Sequence, residues 1–118
     1  MTAPFQNFAA TPRLSVVISV KDEAENIAPL VAEIDAALAD HSFEIIFIDD
    51  GSTDSTAEEL RKVGESRPYL RILTHEASCG KSAGVDSGAR AARGELLLLL
   101  DGDGQNNPAS LPAMIRAM

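Results

Sequence analysis

The chain has 118 residues, which is enough for one domain, and 45% of them are hydrophobic, as is usual for a folded protein. Eighteen acidic residues against ten Lys and Arg give a net charge of -8. This argues against a nucleic-acid partner, since such a partner needs a concentrated basic face. The longest apolar run, residues 96–100, is too short to cross a bilayer, and residues 1–13 lack the pattern of a secretory signal. A cytoplasmic setting is therefore expected.

Four strands and four helices are predicted along the chain. Runs of β-branched and other apolar residues predict strands at residues 14–20, 43–48, 70–74 and 96–100. Apolar residues at helical spacing predict a helix at 24–40. Further helices are predicted at 55–64, at the small-residue segment 81–93, and from about Pro108 onward. Ser55 and Glu58 have capping-box spacing at the start of the second helix. Residues 1–13 are expected to be a poorly ordered lead-in to a domain at 14–118.

Apolar strands that alternate with amphipathic helices predict an α/β fold. The strands begin at residues 14, 43, 70 and 96, a spacing typical of repeated βαβ units. We expect a Rossmann-like parallel sheet with helices on both faces. Four strands leave an exposed sheet edge, through which the chain is expected to form a homodimer or aggregate. The chain also ends soon after the last helix begins, so we expect it to be the first half of something larger.

The polar cluster with the clearest chemical meaning follows the fourth predicted strand. Asp101 and Asp103 are two carboxylates at the end of a strand that is predicted to be buried. Both carboxylates can lose their hydration together only if a cation compensates their charge. Oxygen ligands favour Mg²⁺ or Mn²⁺, and Gln105 offers a third oxygen. We predict a metal site at these three residues, although Asp and Gly also occur together in ordinary polar turns.

Two further clusters lie at the same predicted rim of the sheet. Asp49 and Asp50 end the second strand, where carboxylates suit the hydroxyls of a ribose or the N–H edge of a base. The alternative is a strand-to-helix loop, and Asp54 is assigned to the capping of the next helix. Lys81 begins the third helix, where the helix dipole favours an anion such as a diphosphate. An exposed lysine without a ligand explains that position equally well.

Several other patterns are weaker. Gly80, Lys81 and Ser82 resemble the end of a P-loop, but His75 stands where that motif requires glycine. Glycines at 80, 84 and 88 recur every four residues and predict close packing of the third helix on the sheet. A phospho-acceptor receiver domain is disfavoured because its acidic pair follows the first strand, whereas Asp49 and Asp50 follow the second predicted strand.

The cysteine and the histidines suggest no site from sequence alone. The lone Cys79 excludes an internal disulfide and is expected to be a small buried residue. Two histidines, His41 and His75, are too few and too separated to predict a zinc site.

As an ordered set, four segments resemble the N-terminal half of family-two glycosyltransferases with the GT-A fold. The branch is that of dolichol-phosphate mannose synthase and bacterial polyprenyl-phosphate sugar transferases. The segments are VVISVKDEAENI at 16–27, EIIFIDDGSTDST at 44–56, Gly80-Lys81, and RGELLLLLDGDGQ at 93–105. The resemblance covers about residues 14–118.

The resemblance implies an inverting enzyme that uses a nucleotide-diphosphate sugar, linked to UDP or GDP, and a divalent cation. Asp101 and Asp103 would meet the metal and the diphosphate, with Gln105 helping. Asp50, together with Asp49, would contact the nucleoside, and Lys81 would approach the diphosphate. The base pocket would be lined by Glu23 and by the backbone of Ser19, Val20 and Lys21. A polyprenyl phosphate at the inner membrane face is the acceptor that the resemblance suggests.

The chain departs from the family at three points. Ser19 stands where proline is common, Lys21-Asp22 where tyrosine-asparagine is common, and Gly104 where leucine is usual. These changes affect the base pocket and the loop that carries Gln105. The family's later acidic residue would lie beyond Met118, so catalytic residues are not assigned. The rival hypothesis is a non-catalytic nucleotide-binding or interaction module.

Overall fold

The computed structural model describes residues 11–101, in which four strands alternate with three helices. The strands are β1 (Leu14–Val20), β2 (Phe43–Asp50), β3 (Leu70–His75) and β4 (Leu96–Asp101). The helices are α1 (Ala24–Ala37), α2 (Thr56–Glu65) and α3 (Lys81–Ala91). Every predicted element within the described residues is present, and the predicted α/β class is confirmed. Residues 1–10 of the predicted lead-in at 1–13 and the predicted helix near Pro108 lie outside the described residues.

The strands form one parallel sheet in the order β3-β2-β1-β4. The central strand β1 pairs with β2 on one side and with β4 on the other, and Ser19 lies opposite both Ile48 and Asp101. Since all four strands are parallel, their carboxyl ends meet at one edge. The β1–α1, β2–α2 and β3–α3 loops therefore leave the sheet at that same edge.

Helices cover both faces of the sheet, as predicted. Helices α1 and α2 pack against one face, where Phe47 is fully buried at the centre of the larger apolar cluster. Helix α3 lies on the other face above Val17 and Ile48. Each large side chain buried in this way contributes about 1.5–3 kcal/mol to stability.

Glycines let α3 approach the sheet closely. A Cβ at Gly88 would overlap Val17 and come within 2.7 Å of Ile48 Cδ1, and a Cβ at Gly84 would overlap Ser19. The predicted packing role is therefore confirmed for these two glycines but is wrong for Gly80. A Cβ there would meet nothing within 4 Å, and Gly80 instead adopts a φ of +92°, which side chains other than hydrogen rarely allow.

The edge strand β4 is covered on only one face within residues 11–101. Leu98 is buried against the α1/α2 layer, whereas Leu97 and Leu99, which point to the α3 side, are 38% and 52% exposed. Helix α3 packs on β1 and β2 and leaves this side of β4 open. Among the described helices, none has the length and apolar character needed to cross a membrane.

A buried carboxylate sets the register of β4 at the opposite end of the sheet. Glu44, whose side chain is 2% exposed, accepts hydrogen bonds from the Ser15 hydroxyl at 2.6 Å and the Arg93 backbone N–H at 2.7 Å. It also forms an ion pair with Arg71 at 2.8 Å. The Gly94 N–H donates to Ser15 Oγ at 2.8 Å, so the turn before β4 is tied to β1. This register places Asp101 opposite Ser19.

Candidate functional site

The candidate site is the carboxyl edge of the sheet, where ligands bind in open parallel α/β folds. Asp49 and Asp50 end β2, and Asp101 ends β4. These two strands flank β1, whose own end leads to Lys21. The structure therefore brings the ends of three predicted site segments together at one rim.

The β1–α1 loop is tied to the β2–α2 loop by Asp22. Its Oδ1 accepts hydrogen bonds from the backbone N–H groups of Thr53 at 2.7 Å and Asp54 at 3.2 Å. Its own N–H donates to Ser52 Oγ at 2.9 Å. Asp22 has a φ of +53°, which costs little for Asp or Asn but is strained for most residues. No pattern in the sequence indicates this role, which depends on a positive φ and on a contact between two loops.

Helix α2 does not begin with the predicted capping box. Ser55 forms no side-chain capping bond. Instead, Asp54 Oδ1 accepts hydrogen bonds from the backbone N–H and the hydroxyl of Thr56, so only the predicted capping role of Asp54 is confirmed. These bonds, the Thr56 hydroxyl first, lower the pKa of Asp54. The Thr56 hydroxyl also accepts from the Glu23 N–H at 2.9 Å, which ties the start of the helix to the β1–α1 loop.

The residues that the sequence predicts for a base pocket differ in what they offer a ligand. Val20 is 2% exposed and points into the core, so only its backbone is available at the rim. Lys21 is exposed. Glu23 is half-buried, and its carboxylate accepts from Asn26 Nδ2 at 2.6 Å. Ser19 is also half-buried and lies beneath α3 beside Gly84.

The two aspartates of β2 have different partners. Asp49 is buried and accepts a hydrogen bond from the Ser52 N–H at 3.1 Å. Asp50 is also buried and is saturated by the β3–α3 loop. It accepts four hydrogen bonds of 2.9–3.0 Å, from the Cys79 N–H, the His75 ring, the Ser78 hydroxyl and the Gly80 N–H. Asp50 thus holds that loop in place, and its predicted contact with a nucleoside stays a prediction.

These donors keep Asp50 ionised. The Cys79 N–H, followed by the His75 ring, holds the pKa of the carboxyl far below its ordinary value of 3.8, although burial opposes the shift. The fixed loop leads directly into Lys81, the first residue of α3. Lys81 is exposed, and the first turn of α3 contains no acidic residue. The helix dipole and the lysine charge would therefore both attract an anion at this position.

The predicted metal ligands are only partly described. The backbone of Asp101 pairs with β1 opposite Ser19, while Asp103 and Gln105 lie outside the described residues. The metal site at these three residues stays a prediction.

A second group of potential metal ligands was missed by the sequence analysis. One donor atom each from Asp50, His75 and Cys79 lies within 4.8 Å of the other two. The separation of the histidines, which argued against a zinc site, is irrelevant because parallel register places Asp50 directly opposite His75. The expectation that Cys79 is buried is also wrong, because it lies on the exposed β3–α3 loop. Only the pairing register of β2 and β3, which the sequence does not reveal, shows that these residues lie together.

The family model and the similar proteins agree on one family for this chain. Residues 15–118 match the family described as glycosyl transferase family 2. A dodecaprenyl-phosphate galacturonate synthase of Rhizobium johnstonii is 39% identical over 105 residues, which is 86% of this chain and 31% of that protein. A dolichol-phosphate mannosyltransferase of Mycosarcoma maydis is 31% identical over 93% of this chain and 40% of its own length. The chain thus spans less than half the length of these relatives.

Solved structures support the same fold. The mannosyltransferase PcManGT from Pyrobaculum calidifontis, solved with GDP-Man and Mn²⁺, has a TM-score of 0.66 and 26% identity over 80% of this chain and 28% of that one. Glucosyl-3-phosphoglycerate synthase from Mycobacterium tuberculosis, solved with Mn²⁺, UDP and glucosyl-3-phosphoglycerate, has a TM-score of 0.72 over 95% of this chain and 41% of that one. That second likeness, at 23% identity, shows the fold alone.

Proposed function

This chain belongs to glycosyl transferase family 2, and from that membership we propose that it is the donor-binding part of a glycosyltransferase. It binds a nucleotide-diphosphate sugar at the carboxyl edge of its sheet, and the sugar passes to an acceptor. The observation that carries the proposal is the convergence of the Asp49–Asp50 end of β2 and the Asp101 end of β4 on either side of β1. This arrangement supports a nucleoside on the β2 side and a diphosphate on the β4 side.

The nucleoside would lie against the β1–α1 and β2–α2 loops. Asp22 holds these two loops together, and the backbone from Ser19 to Lys21 and the side chain of Glu23 would line the base pocket there. Asp49 would accept hydrogen bonds from the nucleoside directly. Asp50 would act mainly through the β3–α3 loop, because its oxygens already have four donors there.

The diphosphate would lie between the α3 N-terminus and the end of β4. Lys81 and the first N–H groups of α3 would contact its oxygens. Mg²⁺ or Mn²⁺ would be held by Asp101, Asp103 and Gln105, an all-oxygen donor set that fits either ion. When bound, the ion neutralises the charge of the leaving nucleoside diphosphate. The Mn²⁺ and GDP-Man of PcManGT support this choice of cofactor and donor class.

A polyprenyl phosphate at a membrane surface is the proposed acceptor. The R. johnstonii and M. maydis relatives are named for dodecaprenyl-phosphate and dolichol-phosphate reactions. Their length beyond the match leaves room for the groups that would bind an acceptor. In this chain the proposal is confined to the donor side.

The donor site is tested by titrating the chain calorimetrically with UDP and with GDP, each with and without Mn²⁺. We expect one nucleotide to bind only when Mn²⁺ is present, and Asp103→Ala to abolish that binding. Asp40→Ala, an exposed aspartate after α1, is the matched control and should bind normally. Absence of nucleotide binding by the folded chain, with or without metal, would overturn the proposal.

The rival function, a non-catalytic module that pairs with a second copy, is favoured by one observation. Leu97 and Leu99 leave an apolar strip on the edge strand β4. We propose that this edge forms a homodimer, which sedimentation equilibrium tests directly. Leu99→Lys should convert a dimer to a monomer, and a wild-type chain that stays monomeric at high concentration would contradict the homodimer. Nucleotide binding without metal dependence would favour the module over the transferase.

A further inference from the structure

Three side chains of different chemistry meet at the carboxyl ends of β2 and β3. Asp50 ends β2, His75 ends β3, and Cys79 lies four residues further along the β3–α3 loop. One donor atom from each lies within 4.8 Å of the others. We propose that this triad binds a thiophilic divalent cation of the Zn²⁺ class. The site uses none of the residues proposed to hold Mg²⁺ or Mn²⁺.

The donor set selects the class of ion. A thiolate and an imidazole favour Zn²⁺ and similar transition ions, whereas Mg²⁺ and Ca²⁺ require oxygen ligands. Three protein ligands also match Zn²⁺ sites in which a water or another molecule takes the fourth position. Because Cys79 is exposed, the fourth position would face solvent.

The geometry needs only small adjustments. His75 Nδ1 and Asp50 Oδ1 are 2.9 Å apart, close to the roughly 3.3 Å between two ligands with bonds of about 2.0–2.1 Å at a tetrahedral angle. The ion would replace the proton that these atoms now share. Cys79 Sγ lies within 4.8 Å of the other two donor atoms, compared with roughly 3.6 Å between a sulfur and a nitrogen ligand of a tetrahedral Zn²⁺, and its thiol now donates to the Ala77 carbonyl at 3.3 Å. The sulfur would have to leave that carbonyl to bind the ion.

A hydrogen bond from outside the triad already orients the histidine. His75 Nε2 lies 3.0 Å from Ser87 Oγ on α3, so the ring can donate its Nε2 proton to Ser87 and present Nδ1 as the ligand atom. Ligand histidines commonly use such a partner to fix their tautomer and orientation. Asp50 is fixed as well, since it would keep the hydrogen bonds from the Cys79 and Gly80 N–H groups while its Oδ1 binds the ion.

The site is tested with Co²⁺, which reports ligand type and geometry by its visible and near-ultraviolet spectrum. Co²⁺ added to the nucleotide-free chain should give the intense visible bands of a tetrahedral ion and a thiolate-to-metal charge-transfer band, and Zn²⁺ should remove both. Cys79→Ser should remove the charge-transfer band. Ser87→Ala, which leaves all three ligands in place, should weaken Co²⁺ binding by about tenfold to a hundredfold.

Two variants separate a built site from a lone reactive thiol. His75→Gln should weaken Co²⁺ binding at least as much as Ser87→Ala, while His41→Gln, which changes the other histidine, should leave it unaltered. Binding that disappears in Cys79→Ser but is unchanged in His75→Gln and Ser87→Ala would overturn the triad, as would an octahedral spectrum. Circular dichroism of each metal-free variant checks that it is folded. No nucleotide is present, so failure here leaves the donor-site proposal intact.

Discussion

Asp22 accepts a hydrogen bond from the backbone N–H of Thr53 at 2.7 Å, across 31 residues of sequence. The same carboxylate oxygen receives the N–H of Asp54, and the Asp22 N–H returns a bond to Ser52. One residue therefore joins the first two loops of the candidate site. It does so from a φ of +53°, a conformation that few side chains accept.

We predict that substitutions of Asp22 destabilise the chain in the order Ala, then Gly, then Asn. Alanine loses the acceptor and is strained at positive φ, whereas glycine loses only the acceptor and asparagine retains a carbonyl oxygen. The expected loss for Asp22→Ala is about 1–2 kcal/mol, because the freed N–H groups are reached by water. Urea unfolding measures it, with Asp40→Ala as the control. A negligible loss for Asp22→Ala would show that the bridge contributes nothing, and a loss for Asn as large as that for Ala would contradict the predicted order.

The sequence was sufficient for the fold because its signals are local. Apolar runs predicted β1 with its observed bounds and ended β2 at residue 48, two residues early. Asp49 and Asp50 continue the ladder because loop N–H groups satisfy their carboxylates, which no pattern in the strand itself reveals. The glycine repeat predicted packing at Gly84 and Gly88, but at Gly80 the need is for a positive φ.

The candidate site was harder to predict because its parts are distant in sequence. The residues that end each strand were identified, since they follow apolar runs. Their partners were not: Asp50 meets His75 only because β2 and β3 pair in one particular register. A residue such as Thr56, which links α2 to the loop before α1, likewise has no signal outside the folded chain.

Gly88→Ala is predicted to destabilise the chain by about 1–3 kcal/mol. The added Cβ would overlap Val17 and approach Ile48, so α3 must move away from the sheet. Gly64→Ala is the matched control, also in a helix, where the Cβ would only make ordinary contact with Leu70 at 3.5 Å. It should be neutral or stabilising by up to about 1 kcal/mol. Thermal unfolding that ranks the two variants in the opposite order would contradict the close packing of α3.

The buried Glu44 predicts a specific loss of stability in acid. Burial opposes its ionisation, but hydrogen bonds from Ser15, Arg93 and Arg71 outweigh burial and hold the pKa below its ordinary value of 4.5. A pKa lowered by folding gives stability that is complete above pH 4.5 and is lost as the pH falls through the folded pKa. The free energy of unfolding should therefore decrease below that pH.

Glu44→Gln isolates this contribution. At neutral pH the variant should be less stable by about 2–3 kcal/mol, since it weakens charge-assisted bonds to partners that are only partly exposed. The difference from the wild type should shrink as the pH falls below 4.5. Glu33→Gln, an exposed residue of α1, controls for the loss of one charge. A difference that stays constant with pH would mean that the ionised carboxylate is not the stabilising form.

Lys81→Ala is predicted to weaken binding of a nucleoside diphosphate by roughly tenfold or more, the value of one charge-assisted hydrogen bond. The lysine begins α3, where its charge adds to the helix dipole, and Asp50 fixes the loop that presents it. Binding of the corresponding nucleoside, which has no phosphate, should be unchanged. Lys62→Ala, which removes an exposed lysine of α2 paired with Glu59, is the control. Calorimetric titration with the nucleoside and with the nucleoside diphosphate measures both affinities. An equal loss of affinity for the two ligands would show that Lys81 shapes the base pocket instead of contacting phosphate.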